Sequence, residues 1–172
     1  MAWERLGERI VHDGYRRLVE RRYRLPDGSE RAFEVKVEPP TAVVVALTSD
    51  GRVVLVREFR PGVEEVLLEL PGGGIDPGEE PLAAAARELL EETGYRGELE
   101  GVGSMLDCAY STRVRHVFVA RRCERVAEPT AEDAQLGVVL VSVDEFRQHL
   151  RGGRCTDVGP GYLALDRLRA EP

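Results

Sequence analysis

The stretch from Gly72 to Tyr95, GGGIDPGEEPLAAAARELLEETGY, constrains this chain more than any other. Three consecutive glycines open it, and glycine lets a backbone approach a ligand with no side chain in the way. Asp76, Pro77 and Gly78 make a turn. Pro81 suits the first turn of a helix, where a missing N–H matters least. From Leu82 to Thr93 the residues are mostly Ala, Leu and Glu, all strong helix formers. Gly94 supplies the C-terminal stop. At about 100° per residue, Leu82, Ala85, Ala86, Leu89 and Thr93 share the side expected to face a core. Glu88, Glu91 and Glu92 gather about a third of a turn away, next to Arg87. Like charges at this spacing destabilise a helix, and one arginine does not neutralise three acids. A hard divalent cation does, because Mg²⁺ takes oxygen ligands and shares them with substrate phosphates. Taken alone, the acidic face reads equally well as a solvated surface. The glycine loop favours the ligand reading.

The same stretch resembles the Nudix box, G-x5-E-x7-R-E-U-x-E-E-x-G-U, where U is a bulky apolar residue. Gly73, Glu79, Arg87, Glu88, Leu89, Glu91, Glu92 and Gly94 match it, and Tyr95 fills the last U position. The resemblance implies that Glu88 and Glu92 ligate Mg²⁺ or Mn²⁺, with Glu91 assisting and the Gly72 carbonyl adding a ligand. It implies that Arg87 orients those carboxylates, with Glu79 as its support at the substrate site. The implied fold is of the α/β (α+β) class: a Nudix-type α/β/α sandwich with a mixed β-sheet, plus a small N-terminal β-strand region.

The flanks follow an order consistent with that fold. Residues 1–40 read as short strands, with a turn at Pro26, Asp27 and Gly28 and a linker at Pro39 and Pro40. Residues 41–172 read as the main domain. Val43–Leu47 and the run ending at Phe59 form a hairpin about Asp50 and Gly51, and their nearly continuous apolar runs suit a central sheet. Strands are expected over Val63–Pro71, Gly97–Leu106 and Val114–Ala120, with another apolar run over Leu136–Val143. Ser142 and Glu145 form a capping box for a helix through Leu150, and a last helix is expected over Tyr162–Arg169. Too few βαβ units are present for a wound parallel sheet.

LPDG at Leu25–Gly28, VLVREFR at Val54–Arg60 and ELPGG at Glu69–Gly73 resemble ADP-ribose and nucleoside-diphosphate-sugar pyrophosphatases. That branch implies a homodimer paired through the N-terminal segment. It also implies an arginine at Arg60 contacting the substrate's phosphate or distal ribose; a solvated strand end is the equal alternative. Two departures stand out. CAYSTR (Cys108–Arg113) replaces a Pro-Gly pattern, and the late acidic loop AEDAQ offers Glu132 as general base, or Asp133, with Glu128 a distant third and Ala134 where a second acid is expected.

The implied reaction is Mg²⁺-dependent hydrolysis of the pyrophosphate bond in a nucleoside diphosphate linked to another moiety. ADP-ribose yielding AMP and ribose 5-phosphate is the leading case. GDP-mannose or another nucleotide sugar, a nucleoside triphosphate and a dinucleoside polyphosphate are the alternatives within enzymes. A catalytically silent, nucleotide-sensing Nudix module is the alternative outside them. A net charge of −7 argues against nucleic acid as a partner. Three scattered cysteines form neither a disulfide framework nor a metal cluster. No run reaches the ~20 apolar residues of a membrane span, and the first residues lack the apolar core of a signal peptide. A cytoplasmic protein is expected.

Overall fold

The computed structural model describes residues 2–130 and 137–169. The chain divides into two compact units, Met1–Pro40 with Leu106–Val114, and Thr41–Met105 with Arg115–Pro172.

The first unit is an antiparallel meander of β1 (Glu4–Asp13), β2 (Arg17–Arg24) and β3 (Glu30–Val37). The β2–β3 turn falls at Pro26–Gly28; Gly28 has a φ of +85° and its N–H donates to the Leu25 carbonyl. Trp3, Tyr23 and Phe33 pack as a ring cluster with centroids 5.8 to 6.1 Å apart. Residues 106–114 join this unit through backbone bonds: Lys36 N–H donates to Tyr110 O at 2.8 Å, and Thr112 N–H to Lys36 O at 3.0 Å. No local pattern in CAYSTR announces this, because the pairing depends on backbone groups far apart in the chain.

The second unit is the α/β/α sandwich. Its sheet runs β10 (Val138–Val141), β5 (Val53–Arg60), β4 (Thr41–Thr48), β9 (Val114–Arg125), β8 (Tyr95–Leu106). β4 and β9 are parallel while β4 and β5 are antiparallel, so the sheet is mixed. Side chains alternate across β4, as strand geometry requires. Ala42, Val44 and Ala46 pack with Ala84, Ala85 and Leu89 of α1 (Pro81–Thr93). Val43 and Val45 pack on the other face with Phe146 and Leu150 of α2 (Val143–Gly152) and Ala164 and Leu165 of α3 (Val158–Arg169).

Beyond their shared turn, β4 and β5 part company. The start of β4 pairs with β7 (Gly72–Gly74), and the end of β5 pairs with β6 (Glu65–Glu69). This splay carries the glycine loop to the foot of α1.

One difference from sequence expectation has a clear cause. α3 begins at Val158, not Tyr162, and includes Gly159, Pro160 and Gly161. Proline is tolerated in a first turn, and Gly161 lies so close to α2 that a Cβ there would sit 2.7 Å from Leu150. Cys108 is exposed, whereas Cys123 and Cys155 are the buried thiols.

Candidate active site

α1 is held in register at both ends. Pro81 occupies its first turn, and Gly94 closes it with a φ of +74° and an N–H bond to Leu90 O. Its buried face differs from the wheel expectation. Leu82 and Ala86 are exposed, while Ala84, Ala85, Leu89 and Thr93 are buried. The face is turned because α1 packs against the glycine strand β7 as well as β4. Glu88 and Glu92 therefore continue the row that starts at buried Ala84, at spacing i, i+4, i+8. These acids line the seam between helix and loop; Glu91 is the more exposed, its side chain 43% accessible against 13% for Glu88.

Contact with the loop is close. Gly72 N–H donates to Glu92 Oε2 at 2.8 Å. A Cβ at Gly73 would lie 2.4 Å from Glu88 Oε1, so a side chain there would displace that carboxylate from its present position. Arg87 is the organiser. It donates to both oxygens of Glu79 at 2.9 Å, to Glu88 Oε1 at 2.8 Å, to Glu91 Oε2 at 3.2 Å and to Gly74 O at 2.9 Å. The Arg87–Glu79 pair is a fork of two parallel bonds, a geometry that fixes direction as well as charge. Glu79 also accepts from Asp76 N–H, closing the turn between loop and helix.

Electrostatics separate the supporting acid from the row. Arg87's hydrogen bond, then the Asp76 N–H, hold Glu79 below its usual carboxylate range. Burial pushes Glu88 up despite Arg87, and the charges of Glu91 and Glu79 add to the rise. Burial pushes Glu92 up to about 8; the Gly72 N–H opposes this, Glu88 and Glu58 reinforce it, and Arg60 opposes it again. In both acids burial, not an ion pair, is the largest cause of the shift.

Arg60, at the end of β5, is 30% exposed and well anchored. Nη1 pairs with Glu58, Nε donates to Glu69 Oε1 at 3.4 Å and Nη2 to Thr156 Oγ1 at 3.3 Å. Glu58 and Glu69 escaped the reading of the sequence as site residues; the acid flanking Arg60 in VREFR was the available signal. Glu132 and Asp133 lie outside the described residues. Among the described residues, no three His, Cys, Asp or Glu side chains converge closely enough to hold a metal ion. Arg87 occupies one oxygen each of Glu88 and Glu91 in this arrangement.

The comparisons with known proteins agree with this geometry. The NUDIX domain matches residues 37–155. The ADP-ribose pyrophosphatase of Bacillus subtilis (strain 168) is 31% identical over 142 residues, covering 80% of this chain and 77% of its own. The methanol dehydrogenase activator of Bacillus methanolicus is 29% identical over 151 residues, covering 82% and 80%. A crystal structure of an ADP compounds hydrolase superposes with a TM-score of 0.84 at 22% identity, over 98% of this chain and 95% of that one. With the matched domain spanning most of its length and centred on the glycine loop and acidic helix, the chain belongs to the Nudix family of pyrophosphohydrolases.

Proposed function

We propose that the protein hydrolyses the pyrophosphate bond of a nucleoside diphosphate joined to a second moiety, with ADP-ribose giving AMP and ribose 5-phosphate as the leading reaction. One observation carries the chemistry. Glu88 and Glu92 form a row of acids against a glycine backbone, both raised by burial, and Glu92 is raised to about 8. The ADP-ribose pyrophosphatase of B. subtilis, aligned over most of both chains, supports the substrate.

The residues fit a hard divalent cation. Their donors are carboxylate oxygens, and burial has stripped them of the water that otherwise stabilises their charge. Glu88 and Glu92 would hold Mg²⁺ or Mn²⁺, with Glu91 and the Gly72 carbonyl as additional donors. Bound there, the ion supplies Lewis acidity toward the phosphoanhydride and a more acidic water. The chain's own residues do the rest. Arg87 and Glu79 keep the acid row in line. Arg60 faces the substrate's phosphates or distal ribose, and Glu132, or Asp133, takes the proton from the attacking water. General-base assistance of this kind contributes typically about 10²- to 10⁴-fold.

The test is a Mg²⁺- and Mn²⁺-dependent screen of ADP-ribose, GDP-mannose, other nucleotide sugars, triphosphates and dinucleoside polyphosphates, with products identified. Release of AMP and ribose 5-phosphate from ADP-ribose is expected. Preference for a triphosphate would reassign the substrate, and binding without turnover would make the protein a sensor. Residues 1–40 are proposed as a dimerisation region beside a catalytic region at 41–172. Exposed Ile10 and Val11 on β1 support this. Light scattering on the full chain is expected to return twice the monomer mass of 19.1 kDa; a monomer at working concentration would remove it.

A further inference from the structure

Glu69 is the last residue of β6, and its side chain is fully withdrawn from solvent. Its oxygens are divided between two tasks. Oε2 accepts from Thr156 N–H at 2.8 Å, Thr156 Oγ1 at 2.9 Å and Cys155 Sγ at 3.4 Å. Oε1 accepts from Arg60 Nε at 3.4 Å. A carboxylate has about two lone-pair sites on each oxygen; here three donors crowd onto Oε2 and a single one reaches Oε1. The donors come from two elements, β5 and the loop between α2 and α3. That loop is held from its other side too, since Arg115 donates to Thr156 O at 3.2 Å and pairs with buried Asp157.

Arg60 is thereby fixed in plane as well as in place. Its Nε, Nη1 and Nη2 point to Glu69, Glu58 and Thr156, and the Thr156 hydroxyl accepts from Arg60 while donating to Glu69. A long, rotamer-rich side chain ordered in advance does not have to be ordered when substrate arrives, and binding is tighter by that amount.

We propose that Glu69 is a positioning residue for substrate binding: by clamping Arg60 against the Cys155–Asp157 loop, it presents that guanidinium preformed to the substrate. The proposal rests on the reading of Arg60 given above. It also makes a directional claim about Glu69→Gln. Three donors converge on Oε2, so the amide oxygen stays with the loop and the new NH₂ faces Arg60 Nε–H, donor against donor. Arg60 is released while the loop remains held.

The experiment is steady-state kinetics with ADP-ribose and Mg²⁺ on a double-mutant cycle. Glu69→Gln is expected to raise KM about tenfold with kcat within about twofold of wild type. Arg60→Ala is expected to raise KM at least as much, and adding Glu69→Gln to it to change KM no further, because the two act along one path. Thr156→Val, which removes the bridging hydroxyl, is expected to raise KM as well, and Thr156→Ser to restore it. Thr156→Val and Thr156→Ser decide the matter if Glu69→Gln does not fold. An unchanged KM in Glu69→Gln, losses that multiply in the double variant, or equal KM for Thr156→Val and Thr156→Ser would overturn the proposal. If Arg60→Ala leaves KM unchanged while Glu92→Gln abolishes turnover, positioning fails and hydrolysis stands. Full turnover in Glu92→Gln would instead overturn the reading of the site.

Discussion

Glu38 and Glu92 are both carboxylates taken largely out of water, one at the end of the N-terminal meander and one on the Nudix helix, yet they are treated in opposite ways. Glu38, whose side chain is 3% exposed, is surrounded by Arg16, Lys36 Nζ at 3.2 Å and Arg113 Nη2 at 3.0 Å, with the Ser111 hydroxyl at 2.8 Å. Burial raises it, but Ser111, Lys36 and Arg113 outweigh burial and hold it below its usual range. Glu92 receives one backbone N–H and is pushed up to about 8. The first acid is satisfied within its own unit and serves as a structural pin. The second is left wanting positive charge, which is what its proposed role as a cation ligand draws on.

The largest effect that can break this contrast is on turnover. Glu92→Gln is expected to lower kcat by at least about 10²-fold, since even residues that only support a metal ligand contribute about 10- to 100-fold. Near-normal kcat with retained circular dichroism would put Glu92 alongside Glu38 as merely structural. Next comes Glu38→Ala, which leaves three cations facing a cavity. Breaking a buried pair costs about 3–5 kcal/mol, and partial exposure of these cations places the expected loss nearer about 2 kcal/mol, read from urea unfolding. Loss of turnover without loss of stability would reverse the assignment.

A third, smaller effect comes from pH. Glu92 is raised when folded, from an ordinary 4.5 to about 8, so the folded state holds a proton that the unfolded chain gives up. That stabilisation is complete below about pH 4.5 and is lost as pH climbs toward 8. In chelator-treated protein, Tm is expected to fall by a few degrees between pH 5 and pH 8 relative to Glu92→Gln, and saturating Mg²⁺ is expected to recover it. Parallel pH curves for the two proteins would remove the electrostatic half of the contrast. The smallest effect calibrates the others. Ser142→Ala removes a capping box in which the Ser142 hydroxyl accepts from Glu145 N–H at 3.2 Å and Glu145 accepts from Ser142 N–H at 2.7 Å. A loss of about 1 kcal/mol in urea is expected, with kinetics unchanged.

Local chemistry was the legible part of the sequence. Pro81, Gly94 and the Ala-Leu-Glu run defined α1, and Ser142 with Glu145 defined the start of α2. The mixed sheet between helices followed from the apolar strand runs together with the family resemblance. What escaped depends on packing between distant segments. The wheel placed Leu82 and Ala86 inward because it contained no second surface, whereas α1 meets both β4 and the glycine strand. CAYSTR gave no sign of its backbone pairing with Lys36. Glu69 read as part of an ELPGG motif, and its grip on Arg60 and Thr156 becomes visible only when β5, β6 and the α2–α3 loop come together.

The span between Gly74 and Pro81 acts as a phase setter. Gly74 ends a strand locked to Thr41, and Pro81 begins a helix locked by its glycine stop, so the intervening count of residues decides which way α1 faces. Removing one residue there would turn the helix by about 100°, carrying the acids away from the loop while leaving every side chain intact. Substitutions at Asp76 or Pro77 should therefore be far better tolerated than any change in the span's length, while Gly78, at a φ of +84°, is held to glycine.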